Sequence, residues 1–166
     1  MNTPFPPMHG DPMATADMAL DPDAQDLWSR EAIDAASNDD IRAALIVRPM
    51  DLDRQAAVMI IRDFGEGSLL HWPEIRKFIA RSLQGGLFID WAGLAVERRT
   101  GWPHGQPPLS ESASGILALA IGLATGSPVE GLGRILAKMD HQNGPAILRG
   151  LARALHVEVH DMGQLR

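Results

Sequence analysis

Apolar residues recur at three- and four-residue spacing along most of the chain, interrupted by breaks rich in proline and glycine. From Asp21 onward Leu27, Trp28 and Ile33 supply one apolar face, Pro22 is allowed in a first turn, and Asp23 and Asp26 sit near the positive end of the helix dipole. Asn38 or Asp39 caps a second helix in which Ile41, Ala44 and Leu45 share a face and which Pro49 ends. Asp51 caps a third, with Leu52, Ala56, Met59 and Ile60 on one side and a stop near Gly65; the β-branched run Val58 to Ile61 keeps a strand open as its alternative.

Pro73 fits a first helical turn, and Ile75, Phe78, Ile79 and Leu83 follow at helical spacing up to Gly85-Gly86. Leu87 to Val96 is apolar nearly all round, which predicts a buried helix with a strand at Leu87 to Ile89 as competitor. Residues 101–108 are too dense in proline and glycine for regular structure. Ser110 precedes a helix over Glu111 to Ala124, with Ser112 and Ser114 as rival caps; Gly115, Ala118 and Gly122 line one side of it, and this low-bulk rod is expected at the centre. Ser127-Pro128 opens the next helix, with Val129, Leu132, Leu136 and Met139 in register. Asn143-Gly144-Pro145 turns into a last one with Ile147, Leu148, Leu151, Ala152 and Leu155 inward, so the two should form an αα-hairpin. Gly131 to Leu136 resembles Gly150 to Leu155, but two copies fall short of a repeat architecture.

The expected fold class is therefore all-α: a single-domain bundle of about six to seven helices with a minor strand near 156–160. Residues 1–21 make an acidic, Pro/Met-rich flexible tail and 22–166 the helical domain. Pro4, Pro6, Pro7 and Pro12 break the tail, yet Met8, Met13, Met18 and Leu20 give it an adaptable docking segment.

Composition narrows the function more than it defines it. Hydrophobic residues at 45%, charged residues at 22% and a mean hydropathy of -0.07 over 166 residues fit a soluble globular chain. With no cysteine, disulfides, thiol nucleophiles, thiolate zinc sites and iron–sulfur clusters are excluded. The formal charge of -6 is uneven: residues 1–60 hold eleven acids against four arginines, whereas 61–166 carry eleven cations against ten acids. Such an acidic front opposes phosphate at long range. No Lys or Arg precedes Arg30 and no apolar run of signal-peptide length stands near it, so a cytoplasmic protein is expected; Ile116 to Ala124 is too short to cross a bilayer, and no membrane partner is expected either.

Three constellations invite chemistry. In an extended segment His156, Glu158 and His160 share one face, a three-ligand set for a divalent ion, although plain alternation with Val157 and Val159 inward accounts for the same residues. His71-Trp72-Pro73 and Trp102-Pro103-His104 would line one pocket if the fold joined them, with histidine as a base and Gln106 or Ser110 orienting a substrate; the bland account is two packing lids. Arg134 with Lys138 and Arg149 with Arg153 would form one positive face on an antiparallel hairpin, and Lys77 with Arg81 repeats the spacing beside Arg76. Neither a phosphate-binding glycine loop, a dinucleotide fingerprint nor a nucleophile elbow occurs, and Asp63-Phe64-Gly65 lacks every other kinase element.

The leading expectation is a non-catalytic, protein-binding regulatory module, such as an accessory or inhibitory protein acting on a host partner, with Trp102, His104, Gln106, Met13 and Met18 as contact residues and no cofactor. A nucleic-acid regulator using Arg134, Lys138, Arg149 and Arg153 is the second reading, and a small metal-dependent enzyme using His156, Glu158 and His160 the third. Ala118, Gly122 and the loop tryptophan leave room for a homodimer contact.

Overall fold

In a computed structural model that describes residues 28–45, 51–83, 85–103, 105, 107–138 and 143–155, side-chain caps open the first three helices. Ser29 accepts from the Ala32 N–H and starts α1 (Arg30–Ala35). Ser37 and Asp40 form a reciprocal capping box at α2 (Asn38–Ala44), so the cap lies one residue before Asn38. Asp51 caps α3 (Leu52–Asp63) as its position predicts, and the run containing Val58 and Ile60 is helical. A 3-10 segment over Phe64–His71 follows, bent at Gly65, Glu66 and Gly67, which are all left-handed. Gly67 has no room for a side chain: a Cβ there would stand 2.6 Å from Arg42 Cδ.

The helix expected from Pro73 to Leu83 is a single turn, α4 (Pro73–Arg76), and then gives way to a strand. β1 (Ile79–Arg81) pairs antiparallel with β2 (Leu87–Ile89) in the register Ile79↔Ile89, Ala80↔Phe88 and Arg81↔Leu87. The physical reason is the double glycine. Gly85 takes φ +87, the Ser82 N–H donates to the Gly86 carbonyl, and the pair that looked like a helix stop is a hairpin turn. Pairing buries Ile79, Leu87 and Ile89 by alternation and leaves Leu83 91% exposed, where a helix would have carried it inward. Leu45 adds a parallel bridge to Leu87, which fastens the end of α2 to this small sheet.

Asp90 then caps α5 (Trp91–Arg99), and Ser110, rather than Ser112 or Ser114, caps α6 (Glu111–Thr125), which ends on left-handed Gly126. α7 (Leu132–Ala137) is shorter than its spacing predicts because Gly131 is left-handed and residues 127–131 turn before it. Ile135 is its inward residue, resting where Gly115 of α6 leaves space, while Leu132 and Leu136 are exposed. α8 (Gly144–Ala154) buries Ala146, Ile147 and Gly150, and leaves Leu148 and Leu155 in solvent at 49% and 73%.

The fold is an all-α bundle, with eight helices and a two-stranded sheet among the described residues. The expected strand at 156–160 lies outside them, as does Pro49. Its centre is α3, not α6: α6 and α8 both pack on α3, which buries Gln55, Ala56, Ala57, Val58, Ile60 and Ile61. Gly150 makes this possible, since a Cβ there would lie 3.2 Å from the Ala56 carbonyl oxygen. The expected αα-hairpin is replaced by two separate attachments, α7 chiefly to α6 and α8 to α3. Among the described residues no helix is long and apolar enough to cross a membrane.

Candidate functional site

The α1–α2 corner is built by two arginines that cap each other's helices. Arg76, on α4, is only 8% exposed, and its guanidinium donates to the carbonyls of Leu70, Ile33, Asp34 and Ala36 and to Asn38 Oδ1. Three of those carbonyls close the C-terminal end of α1, where no further turn exists to satisfy them. Arg30, at the start of α1, returns the contact: it donates to the carbonyls of Arg76 and Ile79 at 3.1 Å each and to that of Lys77 at 3.4 Å, and pairs with Asp34 at 2.8 Å. The two short helices are thereby locked side by side.

Between this corner and the segment His71-Trp72-Pro73 lies an open groove of about 770 Å³, whose lining includes Arg30, Asp34, Asn38, Trp72, Arg76 and Lys77. Trp72 is half-buried, packed against the core on one side, with the exposed His71 ring edge-on to it at 5.9 Å. Lys77 is fixed by Glu97 and lies 5.1 Å from the Phe78 ring centroid. Arg30 is answered by Asp34 and Lys77 by Glu97, whereas Arg76 meets carbonyl and amide oxygens but no carboxylate, so its charge alone is unmatched in the lining. An aromatic wall beside fixed positive charge suits an acidic peptide with an apolar side chain.

A smaller cleft of about 280 Å³ lies between the start of α6 and α7, lined by Arg98, Arg134 and Lys138 and also by Glu111 and Glu130. Its charges answer one another. Lys138 is hydrogen-bonded to Glu111 and holds that carboxyl below its ordinary value, through the hydrogen bond first and the charge second, with a smaller contribution from Arg134.

The residues singled out in the sequence are distributed differently from the expected clusters. Trp102 adopts φ +58, is half-buried against the core, and donates its backbone N–H to the Glu97 carbonyl at 3.0 Å. It does not line the Trp72 groove, so the two Trp-Pro pairs are not brought to one pocket there. His104, Gln106, Met13, Met18, His156, Glu158 and His160 lie outside the described residues. Arg149 stands 3.9 Å from Asp63, and Arg153 donates twice to Gln55 Oε1, at 3.0 and 2.7 Å. Together with the Lys138–Glu111 pair, these contacts give three of the four expected phosphate-facing cations partners on α3 and α6. Gly122 is covered by Val129 of its own chain, while Ala118 lines the smaller cleft.

Among the described residues no group of three or more His, Asp or Glu side chains could hold a metal ion. Sequence reasoning reached His71, Trp72 and Pro73, and Arg76 as a member of a basic cluster, but not the capping roles of Arg30 and Arg76. Their partners are backbone carbonyls some forty residues away, and carbonyls leave no mark in a sequence. Comparison with protein-family models, with curated proteins and with solved structures finds no match to this chain.

Proposed function

We propose that this chain is a non-catalytic protein-binding module of regulatory type and that the groove beside Trp72 is its recognition surface. The single observation that carries the reading is the groove itself: a half-buried tryptophan, immobilised by the core, faces a corner whose arginines are already held in place by the fold. Preorganised aromatic and guanidinium groups are what concentrate binding energy at protein interfaces, because ordering them costs nothing further on association. The partner that fits is an acidic segment offering one apolar side chain to Trp72. An accessory or inhibitory role follows if that segment belongs to the working part of a host protein.

Selection from a displayed library of short random peptides tests this with the full chain as bait. His71→Glu with Pro73→Glu provides the matched negative: both positions are exposed on the groove, and the first turn of a helix accepts glutamate. Acidic peptides with an aromatic or aliphatic anchor should be enriched on the parent and lost on the double variant. Equal enrichment on both proteins, or none on either, refutes the assignment.

A further inference from the structure

We infer that the first occupant of this groove is the chain's own acidic segment, residues 17–27, so that an outside partner has to displace it. The inference rests on the groove being a protein-binding surface and adds what regulates it. Three observations converge. The segment reaches the fold at Trp28, half-buried against the core, and two residues later Arg30 already lines the groove, so no linker separates occupant from site. Its composition matches the lining. Asp17, Asp21, Asp23 and Asp26 occur with no cation, while the groove holds Arg30 paired with Asp34, Lys77 paired with Glu97 and an Arg76 guanidinium that meets no carboxylate; Met18, Leu20 and Leu27 are available for Trp72.

Reach is sufficient as well. Eleven residues span up to roughly 35 Å when extended, several times the width of a groove of about 770 Å³. A tethered segment this close acts at an effective concentration of about a millimolar or more, so even a weak individual affinity fills the site most of the time. The four aspartates of residues 17–27 then acquire a purpose that net charge alone does not supply: they keep the groove from taking every acidic peptide it meets.

The absence of cysteine makes the experiment direct. Ala19→Cys carries a nitroxide on the full-length chain, and paramagnetic broadening is read at the amides of Ala36, Ser37, Asn38 and Trp72. The same labelled chain with Asp17, Asp21, Asp23 and Asp26 all changed to Asn is the comparison, its unbroadened spectrum confirming an intact fold. Strong broadening in the first protein and its relief in the second is expected. Equal broadening in both overturns the inference, as does broadening of an unlabelled, isotope-enriched copy mixed with the labelled one, which would place a second molecule in the groove.

The peptides selected above separate this proposal from the one beneath it. If the segment fills the groove about nine-tenths of the time, the Asn variant should bind such a peptide about ten-fold tighter than the parent. Identical affinities sink self-occupancy and leave the groove as a binding surface; no binding by either protein sinks both.

Discussion

Replacing Arg76 with methionine should cost a large part of the stability of this fold, although it removes a charge from a nearly dry position. Methionine matches the aliphatic stem, so packing changes little, and the effect isolates the guanidinium. That group serves four carbonyls and one amide oxygen, at 3.3 Å for Ile33, 3.0 Å for Asp34, 2.9 Å for Ala36 and 2.8 Å for Asn38, with Leu70 on Nε. Hydrogen bonds from a charged donor are each worth about 1.5–3 kcal/mol, but they share one cation and do not add. Water entering from the groove can satisfy some of the carbonyls that are stranded. A net loss of about 3–5 kcal/mol is therefore expected, similar to breaking a buried ionic contact.

Urea unfolding measures this. With a slope of about 2 kcal/mol per molar, the midpoint should fall by about 2 M while the slope is unchanged. Arg76→Lys keeps the charge and the stem but presents a point donor in place of a planar fork, and should lose about half as much. Arg153→Met is the control: Arg153 is exposed and its two bonds end on a single amide oxygen, so its loss should stay below about 1 kcal/mol. A loss under about 1 kcal/mol for Arg76→Met, or a lysine variant as stable as the parent, would show that α1 is held by its apolar contacts and that the reciprocal capping is incidental.

Gly150→Ala improves helix propensity by about 1 kcal/mol yet should lower the thermal midpoint. The new methyl would lie 2.4 Å from Ile60 Cγ1 and 3.2 Å from the Ala56 carbonyl oxygen, and overpacking at such a contact costs about 1–3 kcal/mol; a raised midpoint would mean that α8 rides on α3 loosely. Glu111, held below the usual carboxylate range by Lys138, favours the fold at pH values above its unfolded-state pKa, and that contribution disappears as pH falls through the lower folded-state value. Stability measured from about pH 7 down to about pH 3 should accordingly fall less steeply in Glu111→Gln than in the parent; parallel curves would place the pair in solvent with no net coupling.

The elements legible in the sequence are those whose cause is local. Asp51 and Ser110 announce their helices because a cap acts three residues away, and Gly126 ends α6 through its own backbone. The hairpin at 79–89 was hidden for the opposite reason. Ile75, Phe78, Ile79 and Leu83 satisfy helical spacing, and only the presence of Leu87, Ile89 and Leu45 as cross-strand neighbours makes the extended form of Ile79 the better burial. The leucines of α7 and α8 misled in the same way: spacing shows that a stripe exists, but which stripe turns inward is decided by Ile135 meeting Gly115 and by Gly150 meeting Ala56. The Trp72 segment was visible as an unusual tripeptide, whereas its opposite wall was not, since that wall is made of helix ends.

That wall is built from short helices with few buried residues, which bears on how the groove works. α1 spans six residues and buries Ile33; α2 spans seven and buries Ile41. Helices this short do not persist on their own, so α1 owes its place to Ile33, to Trp28 and Ala36 packed at its ends, and to the two arginines. The opposite wall is tied to the main core through the buried residues Leu69, Leu70 and Ile75. Opening of the α1–α2 corner should thus be cheaper than opening of α3, α6 or α8, and anything seated in the groove stabilises the corner by mass action, about 2.7 kcal/mol at a hundred-fold excess over its dissociation constant. Amide exchange in α1 and α2 should slow more than exchange in α8 when an acidic peptide binds. Uniform slowing would mean that the corner opens only when the whole bundle does, and would remove local stiffening from the account of recognition.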